Sequence, residues 1–116
     1  MRSVATLADV LTWREQARAV HLDEKIKQYI VDLVMETRKP SPYVEHGASP
    51  RATLALAFVS RAKALLAGRD FVLPDDVRLV TPLILRHRIV FTHRVAVEHI
   101  DPDQVLYGII GTVAAP

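Results

Sequence analysis

The chain has no cysteine among its 116 residues. That excludes a disulfide framework, a cysteine-ligated zinc or iron–sulfur centre and a cysteine nucleophile. Glycine is scarce, with four residues at Gly47, Gly68, Gly108 and Gly111. A loop that cradles phosphates with backbone N–H groups needs several glycines close together. None of the four opens a GxxxxGK[ST] or GxGxxG pattern, so the sequence carries no nucleotide-binding loop of its own. Long apolar runs are missing as well. Arg, Lys, Asp or Glu interrupts each helix-like stretch before the ~18–20 apolar residues of a membrane span are reached. No basic segment followed by an apolar core and a small-residue cleavage site opens the chain, and a reducing cytoplasm is the expected compartment. Neither sign of charge dominates: 15 Lys and Arg stand against 13 Asp and Glu, a formal net charge of +2. There is no Lys/Arg block of the kind that marks a nucleic-acid tail.

What remains is ordinary globular composition, with 50% hydrophobic and 24% charged residues. The length suits one domain, expected over residues 1–116. Thr6-Leu7-Ala8-Asp9 has the form of a capping box, followed by apolar residues at helical spacing, so a helix is expected from about Leu7 to Arg18. Asp23 can cap a second helix. Its stripe of Ile26, Tyr29, Ile30, Leu33 and Val34 is the cleanest amphipathic pattern in the chain. Lys39-Pro40-Ser41-Pro42 stops it, and Pro40 to Gly47 reads as a loop.

Ser49-Pro50 reads as an N-cap followed by proline at the first helical position. The Ala- and Leu-rich stretch Arg51 to Ala67 then forms a helix apolar over most of its circumference, as expected of a central bundle element. Gly68 closes it. Pro74-Asp75-Asp76 starts a further helix from a weak cap, Leu73, and Thr81-Pro82 predicts a break or kink before a helical segment ending near His87. Arg88 to Val97 alternates loosely and is expected to pair with Phe71-Val72-Leu73. Asp101-Pro102 predicts a last short helix through Val105 and Ile109. The fold class is therefore all-α, a small helical bundle with a minor short β pair.

The chemistry in the sequence is sparse. The five histidines form no metal-binding spacing. The serines lack a nucleophile-elbow context. The acid pairs Asp23/Glu24 and Asp75/Asp76 sit at helix starts, where capping explains them better than acid–base catalysis. No catalytic or metal-ligating residue is assigned. The sharpest feature is Gly47-Ala48-Ser49-Pro50-Arg51-Ala52. It sets an Arg on the first turn of a helix, where unpaired N–H groups carry partial positive charge. A guanidinium there suits a phosphate, although spacing alone favours an ion pair with a nearby carboxylate.

These residues, with Gly68-Arg69-Asp70, Pro74-Asp75-Asp76-Val77, Leu85-Arg86-His87-Arg88-Ile89, Val20-His21-Leu22, Tyr29 to Val34 and Thr37-Arg38, resemble the C-terminal lid of MoxR-family AAA+ ATPases. The resemblance covers nearly the whole chain. It implies a small helical lid that closes over ATP held by a separate α/β core. Arg51 takes the place of the sensor-2 arginine facing the phosphates, and Ser49 and Pro50 set the helix start that places it. ATP and Mg would bind only together with that core, whose Walker motifs and arginine finger are expected upstream of Met1. The implied partners are the core itself, neighbouring subunits of a ring (commonly a hexamer) and a protein with a von Willebrand factor A domain. Arg69, Asp70, Asp76, Arg86, His87 and Arg88 also match the family, and are read as packing, capping and lid–core contacts. Leu73 departs from it, standing where the family usually has a capping Thr.

Two other readings compete. A free-standing helical adaptor would dock through apolar surface. A helix-turn-helix DNA-binding module around Ala64–Leu79 is disfavoured, because Asp70, Asp75 and Asp76 sit where phosphates would approach. The isolated chain is expected to hydrolyse no ATP.

Overall fold

A computed structural model describes residues 2–116. Among them are six helices, α1 (Leu7–Arg18), α2 (Glu24–Glu36), α3 (Arg51–Leu66), α4 (Pro74–Leu85), α5 (His93–Val97) and α6 (Pro102–Thr112). The strands β1 (Val44–His46) and β2 (Val90–Phe91) form one antiparallel pair. The all-α bundle with a short β pair is thus observed. Among the described residues no helix is long and apolar enough to cross a membrane.

The helix starts follow local chemistry. In α1 the Thr6 N–H donates to Asp9 Oδ2 at 2.9 Å while the Asp9 N–H donates to Thr6 Oγ1 at 3.1 Å, a complete capping box. Asp23 and Asp101 cap α2 and α6 by accepting from the Lys25 and Asp103 N–H groups. Leu73 has no side-chain oxygen, so Asp76 supplies the cap of α4 alone, its Oδ2 accepting the Leu73 N–H at 2.8 Å.

Helix α3 is the central element, packed against α1, α2 and α4. Its interior row is Ala52, Leu56, Ser60 and Ala64, each fully buried. Facing it are Ile26, Tyr29, Ile30, Leu33 and Val34 of α2 and Val77, Val80 and Leu85 of α4. Leu106 and Ile110 of α6 complete the core. The radius of gyration is 16.0 Å and the extents are 47 × 39 × 20 Å. A rounded chain of this length would have a radius near 13 Å, so the molecule is a slab about two helices thick. The outlier is α1, which buries only Ala17 and leaves Val10, Leu11 and Trp13 about half exposed.

Three expectations are corrected. First, Val90–Phe91 pairs with Val44–His46, not with Phe71-Val72-Leu73. Phe71 instead makes a parallel bridge with His21, where the His21 N–H donates to Asp70 O and the Val72 N–H to His21 O. Part of the loop expected over Pro40 to Gly47 is therefore strand. Second, α4 continues through Thr81-Pro82 to Leu85. The ring costs one intrahelical bond, and Thr81 Oγ1 donates to Val77 O at 2.6 Å alongside it. Third, His93–Val97 is helical, closed by His99 at φ 55°.

Two helices end alike. After α3, Gly68 lies at φ 79°, with its N–H donating to Leu65 O and the Arg69 N–H to Ala64 O. This is a Schellman motif, whose left-handed position favours glycine. After α5, the His99 N–H donates to Ala96 O and the Ile100 N–H to Val95 O, the same motif with a histidine in the glycine place. Relief of the left-handed strain, less the larger chain entropy glycine loses, gives His99→Gly an expected gain of about 0.5–1 kcal/mol. Thermal melting of the two chains side by side checks this, and an unchanged or lower Tm would contradict it.

Candidate functional site

The segment singled out in the sequence is built on the end of α2. Thr37 is the C-cap of that helix and is buried. Its hydroxyl donates to Val34 O at 2.6 Å and accepts the Ala48 N–H at 3.0 Å. Arg38 Nη1 donates to Ala48 O, also at 3.0 Å. Both backbone groups of the fully buried Ala48 are thereby held by consecutive residues of the turn that ends α2. Gly47 lies flat against the same turn. A Cβ there would collide with the backbone oxygen of Thr37 and lie 2.8 Å from Arg38 Cα. Main chain cannot yield as a flexible side chain would. Gly47→Ala is therefore expected to cost roughly 1–3 kcal/mol as an overpacking substitution. Urea unfolding of both chains measures it, and a loss within error would show that the two segments separate freely.

From Ala48 the chain turns into α3. Ser49 contributes its carbonyl, which accepts the Ala52 N–H at 2.9 Å. Pro50 holds helical angles, φ −56° and ψ −22°, and gives no side-chain cap. The helix thus begins one residue later than expected, at Arg51, with Pro50 rather than Ser49 in the cap position. Thr53 Oγ1 closes the first turn by donating to Pro50 O at 2.6 Å.

Arg51 is exposed. Among the described residues no carboxylate lies within ion-pair distance of its guanidinium, and no hydrogen bond occupies it. Its five N–H donors and fixed charge are open to an anionic oxygen. The local groups thus fit one cationic contact to a phosphate. They do not fit a magnesium site, which needs several oxygen ligands; among the described residues no cluster of three His, Cys, Asp or Glu could hold a metal.

Of the other arginines in the matched motifs, Arg38, Arg69 and Arg86 are engaged within the fold, whereas Arg88 makes no side-chain hydrogen bond or ion pair among the described residues. Arg69 grips Asp76 through two hydrogen bonds of 2.6 and 2.7 Å, and Asp76 is 2% exposed. The bonded guanidinium, with the Leu73 N–H, holds the Asp76 carboxyl below the usual carboxylate range despite burial. Arg86 makes a second bidentate pair with Asp103, at 2.9 and 2.8 Å, tying α4 to α6. Asp70, His87 and Arg88 are exposed. The sequence reading missed the grip of Thr37 and Arg38 on Ala48. Contacts to backbone atoms across ten or eleven residues leave no spacing signal.

The family model for the AAA lid domain matches residues 36–108. Over 99% of its length the chain is 36% identical to Chaperone MoxR1 of Mycobacterium tuberculosis, covering 33% of that protein. It is 30% identical to Protein MoxR of Methylorubrum extorquens, with 84% of this chain and 32% of that one aligned. The chain spans about a third of the length of the curated relatives it matches. Among solved structures, a Cytophaga hutchinsonii protein described as a candidate ATPase superposes with a TM-score of 0.88 at 34% identity, over 94% of this chain and 36% of the other. With the fold, the matched residues and the relatives in agreement, the chain belongs to the AAA lid domain family, in the form found in MoxR proteins.

Proposed function

We propose that the chain is the lid of a MoxR-type AAA+ ATPase, closing over ATP bound by a core outside these 116 residues. Arg51 supplies the sensor-2-like contact to the nucleotide phosphates. The observation that carries this reading is an exposed, unpaired guanidinium on the first turn of α3, among neighbours whose polar groups are engaged. ATP would supply the phosphoryl group, and Mg would be held by the core. Ser49 and Pro50 set where α3 begins and so where Arg51 projects. Partners on this reading are the core, adjacent subunits of a hexameric ring and a protein with a von Willebrand factor A domain, working as a chaperone-like remodeller in the cytoplasm. The isolated chain would be no enzyme.

The exposed Val10, Leu11 and Trp13 of α1 give a free-standing adaptor its one specific support. Such a protein would use that face and have no need of Arg51. Turnover of the parent ATPase carrying Arg51→Ala or Arg51→Lys tests the proposal. Wild-type turnover in both variants would leave the adaptor as the better reading.

A further inference from the structure

We infer that Thr37 and Arg38 are positioning residues for Arg51, acting as a two-point clamp that fixes the Ala48 peptide groups and with them the direction in which α3 starts. The inference rests on the reading of Arg51 as a phosphate contact. Its own support is geometric. Between the clamped residue and Arg51 lie only Ser49 and Pro50. Pro50 has a ring-fixed φ and Ser49 O is bonded to the Ala52 N–H, so little backbone slack remains between the clamp and the Arg51 Cα from which the guanidinium projects. Thr37 Oγ1 holds the N–H side of Ala48 and Arg38 Nη1 the C=O side. Thr37 is itself oriented by donating to Val34 O at 2.6 Å. The clamp thereby links the register of α2 to the aim of Arg51. Exposed surface would tolerate many residues at position 38, whereas this role demands a long donor reaching a buried carbonyl.

A role confined to general stability would raise amide exchange throughout the chain. A positioning role raises it locally. In this chain, Arg38→Ala and Thr37→Val are expected to speed exchange of the Ala48, Ala52 and Thr53 amides about 10-fold or more, leaving Val77 and Val80 of α4 unchanged. Thr37→Ser, which keeps the hydroxyl, is expected to restore protection at Ala48. Uniform acceleration, or none at Ala48, overturns the clamp. Where Arg38→Ala lowers the global Tm, Arg38→Lys and the Thr37 pair carry the comparison.

In the ATPase bearing this lid, a misaimed Arg51 is expected to lower kcat by about 10- to 100-fold. The loss should vanish when Arg51 is already Ala, because the clamp then has nothing to aim. Equal losses from Arg38→Ala in both backgrounds overturn the positioning role while leaving Arg51 its function. A wild-type rate for Arg51→Ala removes the underlying reading, whatever the exchange data show.

Discussion

Arg51→Ala in the parent ATPase is expected to lower turnover about 10³-fold, with the lid itself still folded. The magnitude is that of a cationic contact to charge developing on phosphoryl oxygens. Two features of the fold make the expectation specific. The side chain is exposed and has no carboxylate partner among the described residues, so its removal breaks nothing inside the lid. It also opens a 16-residue helix whose opposite face is fully buried, so the backbone stays in place without it. Arg51→Lys keeps the charge and loses the planar fork, and is expected to recover part of the rate. Single-turnover kinetics with circular dichroism of the isolated lid separates lost chemistry from lost fold. A variant that turns over at the wild-type rate would end the sensor assignment.

Asp76→Ala is expected to have the largest effect on stability, about 3 kcal/mol, or a fall in Tm of order 10 °C. The carboxylate is almost wholly buried and serves two partners, the Arg69 guanidinium and the Leu73 N–H that begins α4. Removing it uncaps a helix and strands a cation. The loss sits at the low end for a broken buried pair, because the Arg69 side chain is 24% exposed and can rehydrate. The pH dependence follows from the lowered carboxyl. Its contribution is complete above the unfolded Asp value near 3.9 and is lost as pH falls through the lower folded value. The wild-type chain should therefore lose stability below about pH 4, and Asp76→Asn should flatten that acid limb. Urea midpoints measured between pH 2 and 7 decide it. Parallel acid limbs in the two chains would mean that the Asp76 carboxyl titrates alike in the folded and unfolded chains, so that its ionisation adds nothing to stability.

Local signals in the sequence were legible and non-local ones were not. Asp23, Asp101 and the Thr6/Asp9 box each act within three residues, and each starts its helix where expected. Gly68 is readable for the same reason, since a left-handed position after an Ala-rich run calls for glycine. The strand pairing failed because Val44 and Phe91 lie far apart in sequence and their short segments carry little alternation to match. Pro82 predicts a break on backbone preference alone, and the tertiary burial of Val77, Val80 and Leu85 on one face of α4 overrides it. At the candidate site, the residue type and the helix start at Arg51 were visible in Gly47 to Ala52, to within one residue. The support beneath it was not, since Thr37 and Arg38 act on main-chain atoms and any sequence offers those.

Helix α3 has Arg51 at one end and, about 24 Å away along its axis, the Gly68 turn that Arg69 and Asp76 lock to α4. Its contact row is made of Ala52, Leu56, Ser60 and Ala64, small side chains apart from one Leu, with no long flexible ones to act as cushions. Such a helix behaves as a rod seated in a close-packed bearing. A displacement of the α3 backbone at its first turn would not be cushioned along that contact row. It would arrive as a tilt at the far turn, and α4, with α6 fastened to it through Arg86 and Asp103, would swing with it.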